Sequence, residues 1–432
     1  MIRNISGVPK RLFTLRLMAG VFFRYAGKVM SGKMALSSFI PFLRRMLYFL
    51  SKLKHNKFVS LNGKTRLGLY IPGYPSRAFF TASDKFTVFD ERPPCATALI
   101  SLTSACGFRC SHCYQGRDRG GDVELSVLLA TVTRLQEMGV AFFNIEGGEP
   151  FLVYERLRAV CAAIDHRSEI WINSTGDQMN RERLRELKDL RVTAIMFSLH
   201  SPYPQELNKF MGRENAWEVM ERGVKLCHDT GLPVAFNVCL QKESFYNGVF
   251  EEVMEKAKML GGCLVQLIHP KRAGIWLEDG PEPFGPTDIE QVKKLIARYN
   301  QNLEYAPYPS ISAQILEEAP EMFGCTAGGT DRFYINAQGE VQPCEFLNIS
   351  FGNIGREDFN HIYRRMRDVF DQPGTTWLCE QYAPGIAQIY RENRLTTLPL
   401  TGELSVRIYK ELDQGSSTEL YRKIAGPGSR KS

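Results

Sequence analysis

Between residues 97 and 270 six short apolar runs recur: "TALISLT", "VAFFNIE", "EIWINST", "TAIMFSLH", "VAFNVCL" and "CLVQLIHP". Charged amphipathic segments separate them, among them "RERLRELKDL", "NAWEVMERGVKLCHDTG" and "FEEVMEKAKMLGG". In "ELSVLLATVTRLQEMG" the apolar Leu125, Leu128, Leu129, Val132 and Leu135 recur at helical spacing, and Gly139 ends the segment. Apolar strands alternating with such helices predict a parallel sheet covered by helices, an α/β fold. Six units fall short of a complete eight-fold barrel and suit an open, partial (β/α)6 TIM-like barrel. A doubly wound open sheet is the alternative, because strand order cannot be read from a sequence.

The segments around this unit differ in composition. No Asp or Glu precedes Asp84, and the first 83 residues carry 15 Lys and Arg. The remainder holds 39 basic and 47 acidic residues, so the net charge of +7 is the charge of a basic arm on a mildly acidic body. Residues 1–57 read as basic amphipathic helices broken near Gly32 and Pro41. They predict either peripheral contact with an anionic membrane or packing on the body. No apolar run reaches membrane-spanning length. Residues 58–93 lead into the core, opening with a hairpin at Asn62-Gly63. The core is expected over 94–304 and a small α+β extension over 305–388. The last stretch, 389–432, reads as a C-terminal tail with a disordered end.

Eleven cysteines lack the spacing of a secreted disulfide framework, which predicts reduced thiols and a cytoplasmic setting, with the inner membrane face as the arm's place of contact. Cys106, Cys110 and Cys113 fall in the loop after the first strand, on the carboxyl-end face where such sheets bind ligands. A Cys110–Cys113 redox pair leaves Cys106 without a role. A zinc site would need His112, whose adjacency to Cys113 suits one tetrahedral ion poorly. Three thiolates suit a four-iron cluster with one iron left open for a ligand.

Cys106-x3-Cys110-x2-Cys113 followed by Tyr114 resembles the cluster loop of the radical SAM superfamily. The resemblance covers about residues 94–275. It implies a [4Fe–4S] cluster that binds S-adenosylmethionine at its open iron. Reduction then cleaves S-adenosylmethionine to a 5′-deoxyadenosyl radical that abstracts a substrate hydrogen. Gly147, Gly148, Glu149 and Pro150 match the family's GGEP motif, implied to hold the methionyl amino group. By position, Ser174, Ser198 and Asn237 are further cofactor contacts, with Asn173 and Thr175 beside Ser174. His269, Lys271 and Arg272 close the sixth strand as contacts to cofactor or substrate.

Cys325, Gly339 and Cys344, with Cys379 as third ligand, are similar to the twitch and SPASM extensions that hold auxiliary iron–sulfur clusters. "GNIG" at 352–355 adds to the likeness. Here no CxxC segment follows Cys344 and a fourth cysteine is missing. Either one iron stays open, where it could bind substrate, or a non-cysteine ligand completes the cluster, with Glu317, Glu318 and Glu321 as candidates. The resemblance implies a reducing partner such as flavodoxin or ferredoxin, and oxidative modification of a peptide or small molecule. No nucleic acid is expected. Two other readings remain at this stage: a zinc- or nucleic-acid-binding protein, and a thiol–disulfide oxidoreductase. The catalytic residue itself is not legible.

Overall fold

A computed structural model describes residues 2–87 and 95–425. The expectations that fall on 88–94, at the join of lead-in and core, and on 426–432 of the tail lie outside the described residues.

β1 (Ile2–Ile5), β2 (Phe58–Leu61) and β3 (Lys64–Arg66) form a small antiparallel sheet, and both turn residues of the β2–β3 hairpin, Asn62 and Gly63, have positive φ as a type I′ turn demands. The six anticipated strands are β4 (Thr97–Ser101), β5 (Phe142–Glu146), β6 (Glu169–Ser174), β7 (Val192–Ser198), β8 (Val234–Cys239) and β9 (Leu264–Ile268). All their neighbours are parallel and their spatial order is their chain order. A doubly wound sheet reverses its order at a switch point. This one does not, so it is the wall of a partial barrel.

The wall is longer than the six repeats. β10 (Ser310–Ala313) adds parallel to β9, and β11 (Arg332–Ile335) adds parallel to β4 with β12 (Val341–Gln342) antiparallel beyond it. A six-stranded wall leaves two edges of unpaired backbone groups. Segments expected in a separate extension pair with both edges, so core and extension share one sheet.

The barrel is filled from the amino ends of its strands. Val59, Leu61 and Leu69 pack on Phe142, Trp171, Ala194, Ala235 and Leu264. Arg66 forms a buried ion pair with Glu169, which also accepts bonds from Gly73 N (2.9 Å) and Trp171 Nε1 (3.1 Å). With that end plugged, the barrel opens at the carboxyl ends of its strands.

The arm is two helices, α1 (Gly7–Met30) and α2 (Leu36–Lys52), separated at Gly32 as expected. Pro41 does not break α2. It sits in the second turn, where its missing N–H removes one bond, to the Ser37 carbonyl. The tail is corrected too: 389–425 is folded. It completes the helix Leu378–Glu392, forms Gly402–Tyr409, and ends in Glu419–Ala425. Leu420, Tyr421 and Ile424 of that last helix are buried with Phe42 and Met46 of α2 and Leu17, Val21 and Tyr25 of α1. The acid-free arm is thus tied to the far end of the chain by apolar burial. Among the described residues, no helix is long and apolar enough to cross a membrane.

Candidate active site

The cysteine loop joins β4 to the helix Leu125–Glu137 and is clamped from two sides. Arg109 N donates to Met211 O (3.1 Å), Ser111 N to Phe210 O (2.9 Å), and Ile275 N to Cys113 O (3.0 Å). Gly212 and Gly274 lie at the clamps with positive φ. A Cβ on either would stand 2.4 Å from a loop carbonyl, of Arg109 or Cys113. Arg213 pairs with the buried Asp177 (2.6 Å) and lies over the Phe108 ring, bracing the loop from a third side.

Cys106 is exposed, Cys110 and Cys113 are half-buried, and all three are free thiols. Burial pushes Cys106 and Cys113 up to about 11 and Cys110 further, and Cys106 and Cys113 both act on Cys110. Binding iron would therefore have to displace thiol protons. His112 is turned into the protein, stacked on Phe210 (4.6 Å) and edge-on to His200 (4.4 Å), and burial lowers it to about 4. Among the described residues no group of three or more His, Cys, Asp and Glu is spaced for a single metal ion. With His112 turned away, Cys106, Cys110 and Cys113 supply three donors, one short of a structural zinc site and as many as a four-iron cluster with one open iron takes. The donor set fits a cluster better than zinc.

A cavity of about 690 Å³ opens at the carboxyl ends of the strands, ample for a cofactor with a substrate group. Cys106, Cys110, Cys113, Tyr114, Gly147, Gly148, Ser174, Ser198 and Asn237 all line it, together with Asn173 and Thr175. Two members of the GGEP motif do not. Pro150 is buried at the start of a short 3-10 helix. The Glu149 carboxylate is fully buried, accepting from Phe151 N (3.0 Å), Ser174 Oγ (2.8 Å), Thr175 N (2.7 Å) and Thr175 Oγ1 (2.5 Å). It pins β5's exit to β6's exit from behind the wall. The glycines also serve protein packing. A Cβ on Gly148 would stand 2.2 Å from Ala105 O, because Gly148 N and Glu149 N bond to the cysteine loop at Thr103 O (2.7 Å) and Ala105 O (2.8 Å).

Sequence reasoning missed Glu146, one residue before the glycines. It is 4% exposed, accepts from Asn144 (3.0 Å) and Asn173 (2.9 Å), and bonds to Tyr114. Its Oε1 is buried and unpartnered, as are Asn173 Oδ1 and Asn237 Oδ1. Burial, reinforced by Glu345, raises it to about 8, so at neutral pH it is largely a carboxylic acid. Its place as last residue of an apolar strand was the available signal.

His269, Lys271 and Arg272 are placed differently from one another. Lys271 reaches the cavity, but its ammonium and the His269 ring both bond to Glu380 of the extension (2.5 and 3.0 Å). Arg272 reaches only Glu282, at 3.8 Å on the surface.

Cys325, Cys344 and Cys379 are free and mutually close enough that Cys379 raises Cys344 and Cys325 raises Cys379. Gly339, φ +88, turns the chain between β11 and β12, and Asn353 Nδ2 of the GNIG segment bonds across to Gln338 O (2.9 Å). Arg332 donates to Cys344 Sγ (3.6 Å) and pairs with Glu318 (2.7 Å), and Cys344 Sγ lies 3.0 Å from Glu345 Oε2. Glu345 and Phe346, directly after Cys344, form part of the cavity wall. The cavity lined by Cys106, Cys110 and Cys113 thus also reaches the two residues that follow Cys344.

Residues 100–259 match the family model of the radical SAM superfamily, and residues 325–381 match that of the SPASM iron–sulfur cluster-binding domain. The chain belongs to the radical SAM superfamily and carries a SPASM-type extension. It is 22% identical over 308 residues to an AdoMet-dependent heme synthase of Nitratidesulfovibrio vulgaris, covering 66% of this chain and 83% of that one. It is 26% identical over 286 residues to the subtilosin biosynthesis protein AlbA of Bacillus subtilis, covering 63% and 60%. The solved structure of Streptococcus suis SuiB bound to its precursor peptide SuiA shares the fold, with a TM-score of 0.52 at 14% identity over 66% of this chain and 69% of that one. The protein is a radical SAM enzyme that uses [4Fe–4S] clusters and S-adenosylmethionine. The zinc, nucleic-acid and thiol–disulfide readings are not favoured.

Proposed function

We propose that Cys106, Cys110 and Cys113 hold the cluster that binds S-adenosylmethionine, that Cys325, Cys344 and Cys379 hold an auxiliary cluster, and that the substrate is a peptide modified oxidatively between them. When bound and reduced, the first cluster supplies a 5′-deoxyadenosyl radical that removes a substrate hydrogen. A low-potential donor such as flavodoxin or ferredoxin supplies the electron. Tyr114, Gly147, Gly148, Ser174, Ser198 and Asn237 shape the cofactor's part of the cavity. Glu149 and Pro150 hold that wall in place.

The relatives include heme synthases, a bacteriocin biosynthesis protein and a GTP 3′,8-cyclase, and the cavity's polarity carries the choice. A porphyrin bearing propionates needs cations. Of the cations in the lining, Lys271 is paired with Glu380 and Arg119 donates to the carbonyls of Gly116 and Asp118, which leaves Arg109 on the cysteine loop, while Glu146 and Glu345 line the cavity as acids. Glu146 and Asn173 line the cavity, each with a buried oxygen that has no protein partner, so a small shift of either side chain would offer a donor and an acceptor. A donor beside an acceptor matches the C=O and N–H of a peptide backbone.

The test is anaerobic. With the protein reconstituted and reduced, a cognate peptide should stimulate 5′-deoxyadenosine release and iron coproporphyrin should not. Saturable porphyrin binding with turnover would reverse the assignment. Alanine at Cys106, Cys110 and Cys113 should abolish release. Alanine at Cys325, Cys344 and Cys379 should remove about four irons, and unchanged iron would remove the auxiliary cluster from the proposal.

We also propose that the arm docks on an anionic membrane. Leu12, Leu15, Phe23 and Met30 of α1 and Ile40 and Leu47 of α2 are exposed, with Arg11, Arg16, Arg24, Lys33 and Arg44 exposed among them. An outward apolar stripe rimmed by cations and free of acids fits the interface of an anionic bilayer. The full chain should float with phosphatidylglycerol vesicles and not with neutral ones, and Leu12→Asp with Phe23→Asp should abolish it. Failure of the unaltered chain to float would refute docking.

A further inference from the structure

Three cysteines account for three irons of an auxiliary cubane. The fourth iron stands in the same relation to each of the other three and its free position points away from them, so a protein group that completes the cluster must lie opposite the three thiolates, within reach of all three cysteine segments. The structure separates the three glutamates that precede Cys325. Glu317 is turned away, accepting from Ser312 Oγ (2.5 Å) on β10. Glu321 lies at the surface, paired with Lys293 (2.8 Å). Glu318 is buried and is tied to all three cysteine segments.

Its carboxylate meets Arg332 (2.7 Å), the same guanidinium that donates to Cys344 Sγ. Its main-chain carbonyl accepts from Trp377 Nε1 (3.0 Å), two residues before Cys379. The turn that follows it, closed by Gly324 N to Ala319 O (3.2 Å), delivers Cys325. Glu345 is the competitor by distance, 3.0 Å from Cys344 Sγ, but it is that cysteine's chain neighbour and lies on the substrate cavity's wall.

We propose that Glu318 is the fourth protein ligand of the auxiliary cluster, an inference that rests on the assignment of Cys325, Cys344 and Cys379 to that cluster. A carboxylate oxygen gives a lone pair to the iron and gives up its contact with Arg332, which keeps Cys344. No electron moves in this step. The consequence is functional: a cluster with four protein ligands offers substrate no open iron. It serves the oxidation as an electron acceptor and not as a substrate anchor.

The experiment uses the full chain with Cys106, Cys110 and Cys113 changed to Ala, so that iron reports the auxiliary site alone. After anaerobic reconstitution and reduction, ¹³C-cyanide is added and its coupling to the cluster is read by electron–nuclear double resonance. The parent should hold about four irons and show no ¹³C coupling. Glu318→Ala should keep iron and gain the coupling, and Glu318→Cys should close the site again. If Glu318→Ala loses its iron, Glu318→Cys decides: a loaded, cyanide-silent cluster supports the ligand, and an empty or cyanide-coupled one overturns it. Cyanide coupling in the parent overturns it, as does coupling gained by Glu345→Ala and not by Glu318→Ala. A parent without iron would sink the auxiliary-cluster assignment itself, a result distinct from these.

Discussion

Replacing Glu149 by Gln tests whether the acid of the GGEP motif is an internal pin. The two side chains have the same shape, but each Glu149 oxygen receives one backbone N–H, Phe151 N on Oε1 and Thr175 N on Oε2. A glutamine has one acceptor oxygen and one NH2. Whichever way its amide turns, the NH2 meets a main-chain donor that cannot rotate away. That buried N–H loses its partner, at about 1–3 kcal/mol, and the Ser174 or Thr175 hydroxyl on the same side loses its acceptor, at about 1 kcal/mol. The expected total is about 2–4 kcal/mol. The damage is local, because the same residues set the exits of β5 and β6. Glu149→Gln should therefore melt lower than the wild type by several degrees and bind S-adenosylmethionine more weakly. Melting and equilibrium binding of the reconstituted protein measure both. If the variant melts and binds as the wild type does, Glu149 is not held by these bonds and its role as a pin is wrong.

Gly148→Ala places a methyl 2.2 Å from Ala105 O, backbone against backbone. It should shift the cysteine loop, cost about 1–3 kcal/mol and lower iron loading at the first cluster; full loading would contradict the packing role. Arg66→Met leaves Glu169 buried without its cation, and by the usual cost of orphaning a buried charge it should destabilise by about 3–5 kcal/mol in chemical denaturation; a loss under 1 kcal/mol would show that the plug does not depend on the pair. Glu146 titrates near 8, raised by burial, so the folded protein keeps a proton that the unfolded carboxyl releases in the ordinary range. The stability this gives is complete at acid pH and is lost as pH rises towards 8, by up to roughly 1.4 kcal/mol per pH unit. Glu146→Gln should flatten that fall, and parallel melting-temperature profiles for the two proteins would refute the shift.

Much of this was legible because it repeats or is local. The strands β4 to β9 were marked by apolar runs, the hairpin by Asn62-Gly63, and both cysteine sets by their spacing. The misreadings share a cause. β10 and β11 look like parts of a separate extension until the barrel's open edges supply partners. Residues 389–425 look like a tail because the surface that buries Leu420 and Ile424 is made by α1 and α2, hundreds of residues away. Lys271 looks free until Glu380 is folded against it.

By itself the sequence determined the class of chemistry. Three thiols in one loop, the glycine-rich exit of the next strand and a second set of three are chain-local patterns, and a βα repeat places such loops on one face whatever the details. Only the tertiary structure decided what each polar group can reach. Burial and partners come from distant segments, so it took the fold to put Glu149 behind the wall, leave Glu146 facing the cavity, and set Glu318 apart from Glu317 and Glu321 among the three auxiliary cysteines.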